Sequence, residues 1–154
     1  MKNFISINLI LRKRSILFLT FVLCPFLASS QVSNIVGSWK TIDDKTGEPK
    51  SVVRIYKETD GKYYGKVEQL FQNPDGKCVK CKGELKDAPI LGLVILTEMK
   101  ENGDKLDGGY ILDPASGDKY NATISLEKDG RLKMRGSLGK AGLIGRNQYW
   151  VKVQ

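Results

Sequence analysis

Turn signals punctuate this chain at short, regular intervals, and that spacing constrains the fold more than any other feature. Lys45-Thr46-Gly47, Asp60-Gly61, Asn102-Gly103, Asp113 to Gly117 and Asp129-Gly130 carry the residues that supply positive φ in tight hairpins. Between them lie segments of strand length, rich in β-branched and aromatic residues. Eight strands are predicted, at about 36–42, 51–58, 62–72, 91–99, 105–112, 118–127, 131–138 and 146–153. Several alternate with period two. Tyr120, Ala122, Ile124 and Leu126 share one face, and Leu132, Met134, Gly136 and Leu138 oppose Arg131, Lys133, Arg135 and Ser137. Such patterns mean one buried and one wet face. Ile90 to Leu96 is apolar on both faces and is expected to be covered twice or buttressed by a loop. No helical periodicity of useful length follows residue 30; a short helical turn fits within 84–91 or 139–145.

The expected fold class is therefore all-β. Eight sequential antiparallel strands favour a single up-and-down barrel, because closure removes exposed edges. A two-sheet sandwich fits the strand count equally well. A barrel of eight strands has an interior that side chains just fill, or that holds one small ligand.

The first 30 residues read as a targeting segment. Lys2, Arg12, Lys13 and Arg14 form a positive region, Ser15 to Leu27 is almost wholly apolar, and Ala28-Ser29-Ser30 supplies small residues for cleavage. The expectation is a signal helix over 1–30, cut near Ser30, and one β-barrel domain over 31–154, placed in the periplasm or secreted. Lipidation at Cys24 and retention as an anchor are the alternatives. Four of the 25 Lys and Arg fall in this segment and no acid does, so the remainder carries +4 rather than +8. Its charges are interleaved, without the basic stripe of a nucleic-acid binder. Membrane contact is expected only through the signal.

Gly37-Ser38-Trp39 near the start and Arg146 near the end resemble the closure of lipocalin-like (calycin) barrels. That resemblance implies a tryptophan closing the barrel base with a basic side chain of the last strand over its ring. A longer ordered set resembles domain-of-unknown-function family 2147, an uncharacterised bacterial secreted family. It includes Tyr63-Tyr64-Gly65-Lys66-Val67, Asn73-Pro74-Asp75-Gly76, Gly108 to Pro114, Gly117-Asp118-Lys119-Tyr120, Leu132 to Gly136 and Gly145 to Trp150. Many members carry a cysteine where this chain has Ala122, so no role for that thiol transfers. The resemblance implies a secreted β-barrel and no activity.

The chain has no histidine, which removes Ser-His and Cys-His nucleophile pairs and His-ligated metal sites. No cofactor or metal is expected. Cys78-Val79-Lys80-Cys81 lies in a long polar connection; a redox dithiol, half a zinc site and a local disulfide are the readings, and an oxidising compartment favours the disulfide. Arg135 with Tyr64, Tyr110 and Tyr120 could orient a carboxylate, phosphate or sugar head group, against the plainer reading of a solvated arginine. Leu143-Ile144 is apolar within the glycine-rich loop Gly139 to Gly145; it plugs a barrel end, guards a cavity or meets a partner. Asp43, Asp44, Asp104 and Asp107 fall at turns or strand ends, without the desolvation that carboxylate catalysis needs. The leading expectation is a non-enzymatic barrel binding a small amphiphilic envelope molecule. The alternative is an envelope interaction module with a filled barrel. Oligomeric state is left open.

Overall fold

A computed structural model of the protein describes residues 32–139 and 142–154; residues 1–31, where a targeting segment and Cys24 lipidation were expectations, and Lys140-Ala141 of the glycine-rich loop lie outside the described residues. A single helical turn, α1 (Val32–Ile35), precedes eight antiparallel strands: β1 (Gly37–Ile42), β2 (Pro49–Lys57), β3 (Tyr63–Leu70), β4 (Val94–Asn102), β5 (Lys105–Asp113), β6 (Asp118–Leu126), β7 (Leu132–Leu138) and β8 (Ile144–Lys152). They pair in sequence order, and β8 returns to β1, so the sheet is a closed up-and-down barrel rather than a sandwich.

The alternation dictates the inside. Trp39 and Thr41 of β1, Val53 and Ile55 of β2, Ile124 of β6, Leu132 and Met134 of β7 and Trp150 of β8 are buried. β-Bulges adjust this rule. Ile95 and Leu96 are both buried because the β3–β4 register shifts around Gly65. Residues 91–93, expected within the fourth strand, belong to a turn instead, and the strand begins at Val94. At Gly65 an added Cβ would lie 2.7 Å from the Leu96 side chain. The expected short helical turn is a 3-10 turn at Gly83–Leu85.

One end of the barrel is closed. Val32 and Ile35 of α1 are fully buried in the core, and the Trp39 indole N–H donates to the Ile35 carbonyl at 2.7 Å. Lys152 lies opposite Trp39 in the β1–β8 ladder. Its ammonium sits 5.2 Å from the centre of the Trp39 ring and donates to the Asn34 carbonyl at 3.0 Å. The basic side chain over the tryptophan is therefore Lys152 and not Arg146. Arg146 lies six residues nearer the opposite end of β8, opposite Gly136 of β7.

The β1–β8 seam is short. Only Trp39 with Lys152 and Lys40 with Val151 pair in register, extended by Val153 N–H to the Ser38 carbonyl, whereas β7 and β8 pair over seven rungs. Beyond Lys40 the two strands part, toward the open end.

Candidate functional site

At the end away from α1 the inward-facing side chains stop short of one another and leave a cup of about 950 Å³. Its walls are largely apolar: Val67 and Leu70 of β3, Ile95 of β4, Ile111 of β5, Tyr120 of β6 and Met134 of β7, with Ile90 from the long connection. Residues without side-chain bulk make the room, since Gly136 and Ala122 face each other across β6 and β7 on the inner side. Trp150 lines the cup and is itself buried; its indole N–H makes no hydrogen bond. Thr41 and Ser51 also line it, and their hydroxyls lie 2.8 Å apart in a buried pair that is satisfied within the strand backbone.

The mouth is polar. Arg146 pairs with Asp44 of the β1–β2 turn, and the Gln148 amide donates to the same carboxylate at 3.3 Å. This side-chain latch spans the gap where β1 and β8 no longer pair. Asp43 stays with its own turn, accepting from the Lys45 and Thr46 backbone N–H groups at 2.9 and 3.0 Å. The Thr46 bond, then the Lys45 bond, holds its carboxyl below the ordinary value.

The long connection from β3 to β4 forms another part of the rim. Cys78 and Cys81 are joined in a disulfide and both are buried. Between them Val79 stands exposed at the cup's edge. The loop leans on the β5–β6 turn: Cys78 Sγ lies 3.5 Å from the Pro114 carbonyl, and a Cβ on Gly117 would meet the Lys80 carbonyl at 2.2 Å. This contact ties the disulfide to Pro114, which lines the mouth.

The residues singled out from sequence separate into two groups. Tyr120 and Ile144 line the cup. Tyr64 and Tyr110 do not; they line an open groove of about 650 Å³ on the outer wall, with Lys119 and Asn121. Arg135 is on the outer wall too, because Met134 beside it points in. Its guanidinium donates to the Gly142 carbonyl at 2.8 Å and to Asn147 Oδ1 at 3.2 Å. Arg135 thus holds the glycine-rich loop against the outside of the barrel, helped by Asn121, whose amide donates to the Gly139 carbonyl at 2.9 Å. The loop does not plug the barrel: Leu143 is 86% and Ile144 72% exposed. Asp44, Gln148, Thr41, Ser51 and Trp150 were missed as site residues. The period-two face of β8, on which Arg146, Gln148 and Trp150 succeed one another, was the signal that could have found two of them, Gln148 and Trp150.

Among the described residues no group of three or more acidic or cysteine side chains converges to hold a metal ion.

Comparison with known proteins agrees with the architecture. A family model described as an uncharacterized protein conserved in bacteria, domain of unknown function 2147, matches residues 37–152. A solved structure of protein HP1028 from Helicobacter pylori, described as belonging to the lipocalin family, superposes with a TM-score of 0.68 at 20% sequence identity, covering 77% of this chain and 82% of that one. That likeness concerns the fold. No curated protein matches the chain.

Proposed function

The chain belongs to the family of uncharacterized proteins conserved in bacteria, domain of unknown function 2147, and on that footing we propose that it is a non-enzymatic lipocalin-like carrier or sensor. It takes a small amphiphilic molecule of the cell envelope into the open end of the barrel. The observation that carries this reading is the cup itself: about 950 Å³, apolar on most of its wall and polar at its mouth. Ligand pockets combine such an apolar lining with a few placed polar groups. The apolar leader and the disulfide support an exported protein that works in the periplasm or outside the cell.

Gentle native mass spectrometry of protein purified from its host's envelope fraction tests the proposal. A constant extra mass that departs on denaturation is the expected result. A bare protein mass, together with no uptake of an apolar fluorescent probe, would sink it. The denatured mass also reports where the leader is cut, with Gln31 the expected first residue.

A second reading is favoured by the exposed apolar rim. Leu138, Leu143 and Ile144 stand together in solvent beside the mouth, as a contact surface for an envelope partner would. It predicts that Leu143→Ser abolishes partner capture while probe uptake is retained.

A further inference from the structure

The inner face of β8 carries Ile144, Arg146, Gln148 and Trp150 in order from rim to floor, and all four line the cup. Below the apolar lip, three successive inward positions present N–H donors: a guanidinium, a carboxamide and an indole. Guanidinium and indole nitrogens cannot accept hydrogen bonds. The Trp150 N–H is buried without a partner, and a buried donor left unpaired costs free energy that an incoming acceptor removes. The deeper part of the opposite wall is apolar, with Val67, Ile95 and Ile111.

The carboxylate set against this donor file is Asp44, which engages Arg146 and Gln148 together. The two other acids at the mouth are committed to their own turns: Asp43 to the backbone of Lys45 and Thr46, Asp113 to the Ala115 N–H at 2.9 Å. Lys45, Lys50 and Lys77 add positive charge around the opening. Resting on the reading of the cup as a ligand site, we infer that its ligand bears an anionic, acceptor-rich head, a carboxylate or a phosphate. The head docks on Arg146 and Gln148 in place of Asp44, and the apolar body lies against β3 to β5. Asp44 is then an internal competitor that sets affinity, holding the position the head group takes. A planar guanidinium suits either oxyanion through paired hydrogen bonds.

Calorimetric titration of protein purified from cells expressing the full chain, with dodecanoate, dodecyl phosphate and dodecan-1-ol, tests this. The expected result is at least one anion binding about tenfold or more tightly than the alcohol. Arg146→Met removes that preference, bringing the anion-to-alcohol affinity ratio to about one. Asp44→Asn raises the anion-to-alcohol affinity ratio severalfold. The relative affinities of the two anions tell carboxylate from phosphate. Equal binding of all three probes, or a preference that survives Arg146→Met, overturns the inference while the cup reading stands. Binding of none of them overturns both. Arg146 is largely exposed, so the variant should melt with the parent, and a thermal scan checks this.

Discussion

Trp39, Lys152 over its ring and Arg146 farther along β8 separate three kinds of contribution. Trp39→Phe loses ring volume and strands the Ile35 carbonyl, and should cost about 2 kcal/mol in urea unfolding. Lys152→Met should cost about 0.5–1 kcal/mol, the worth of an exposed cation–π contact. Arg146→Met should fall within about 0.5 kcal/mol of the parent, as for an exposed ion pair. An Arg146→Met cost above that of Lys152→Met would reverse the assignment. Alternation reveals that positions 146, 148, 150 and 152 share a face. It does not reveal which rung of β8 lies opposite Trp39, because register is set by the remote strand and not by the local pattern. Acid sensitivity also belongs to single residues. The Glu101 carboxyl is held below its ordinary value first by the Tyr63 hydroxyl and then by the Lys57 ammonium. Asp60 is lowered first by the Lys62 backbone N–H, and Asp129 first by the Arg131 side chain. Folded values below unfolded ones mean that this stability is fully present above the ordinary carboxylate range, about pH 4, and is lost as pH falls through the folded values. Melting temperature should therefore be flat from pH 7 to about 5 and decline below about 4. Tyr63→Phe should shallow that decline; an unchanged slope would remove Glu101 from the account.

At the scale of elements, the connection carrying the disulfide is held by what it touches. Gly117 has φ +77° and lies against the Lys80 backbone. Gly117→Ala is strained twice over and should cost about 2 kcal/mol or more while loosening the loop, read as faster proteolysis between residues 74 and 90. Replacing both cysteines with alanine should cost no more than about 2 kcal/mol globally, since the covalent ring is small. Its larger effect should be the same local loosening. Equal proteolysis of parent and variants would show that the rim is held by other contacts. The strands themselves were legible, since Tyr120 to Leu126 and Leu132 to Leu138 advertise their faces. The loops were not. Arg135 reads as a free cation on a wet face because nothing local announces that the chain ahead folds back over it. The Gly139–Gly145 segment reads as a plug because its apolar residues were expected to seek cover, yet its backbone is tied to the outer wall and Leu143 is left in solvent.

For the whole molecule, eight hairpin-linked strands made a closed barrel the natural expectation. Whether its interior was filled or hollow could not be read, because alternation says which residues point inward and not how far they reach. The facing pair Gly136 and Ala122 helps settle that in favour of a cup. The seam between β1 and β8 has a consequence for how the molecule comes to exist. It joins the first strand to the last through two rungs, so it is the contact that closes the longest stretch of chain and rewards that closure least. Until Val151 and Lys152 have arrived, the growing sheet has two bare edges. Chains cut after Tyr149 should form sheet and then associate edge to edge, appearing as oligomers in sizing chromatography. A monomeric truncated chain would show that the edges are covered some other way. The barrel's completeness thus hangs on its final few residues, and the clasp between its two terminal strands is fastened last.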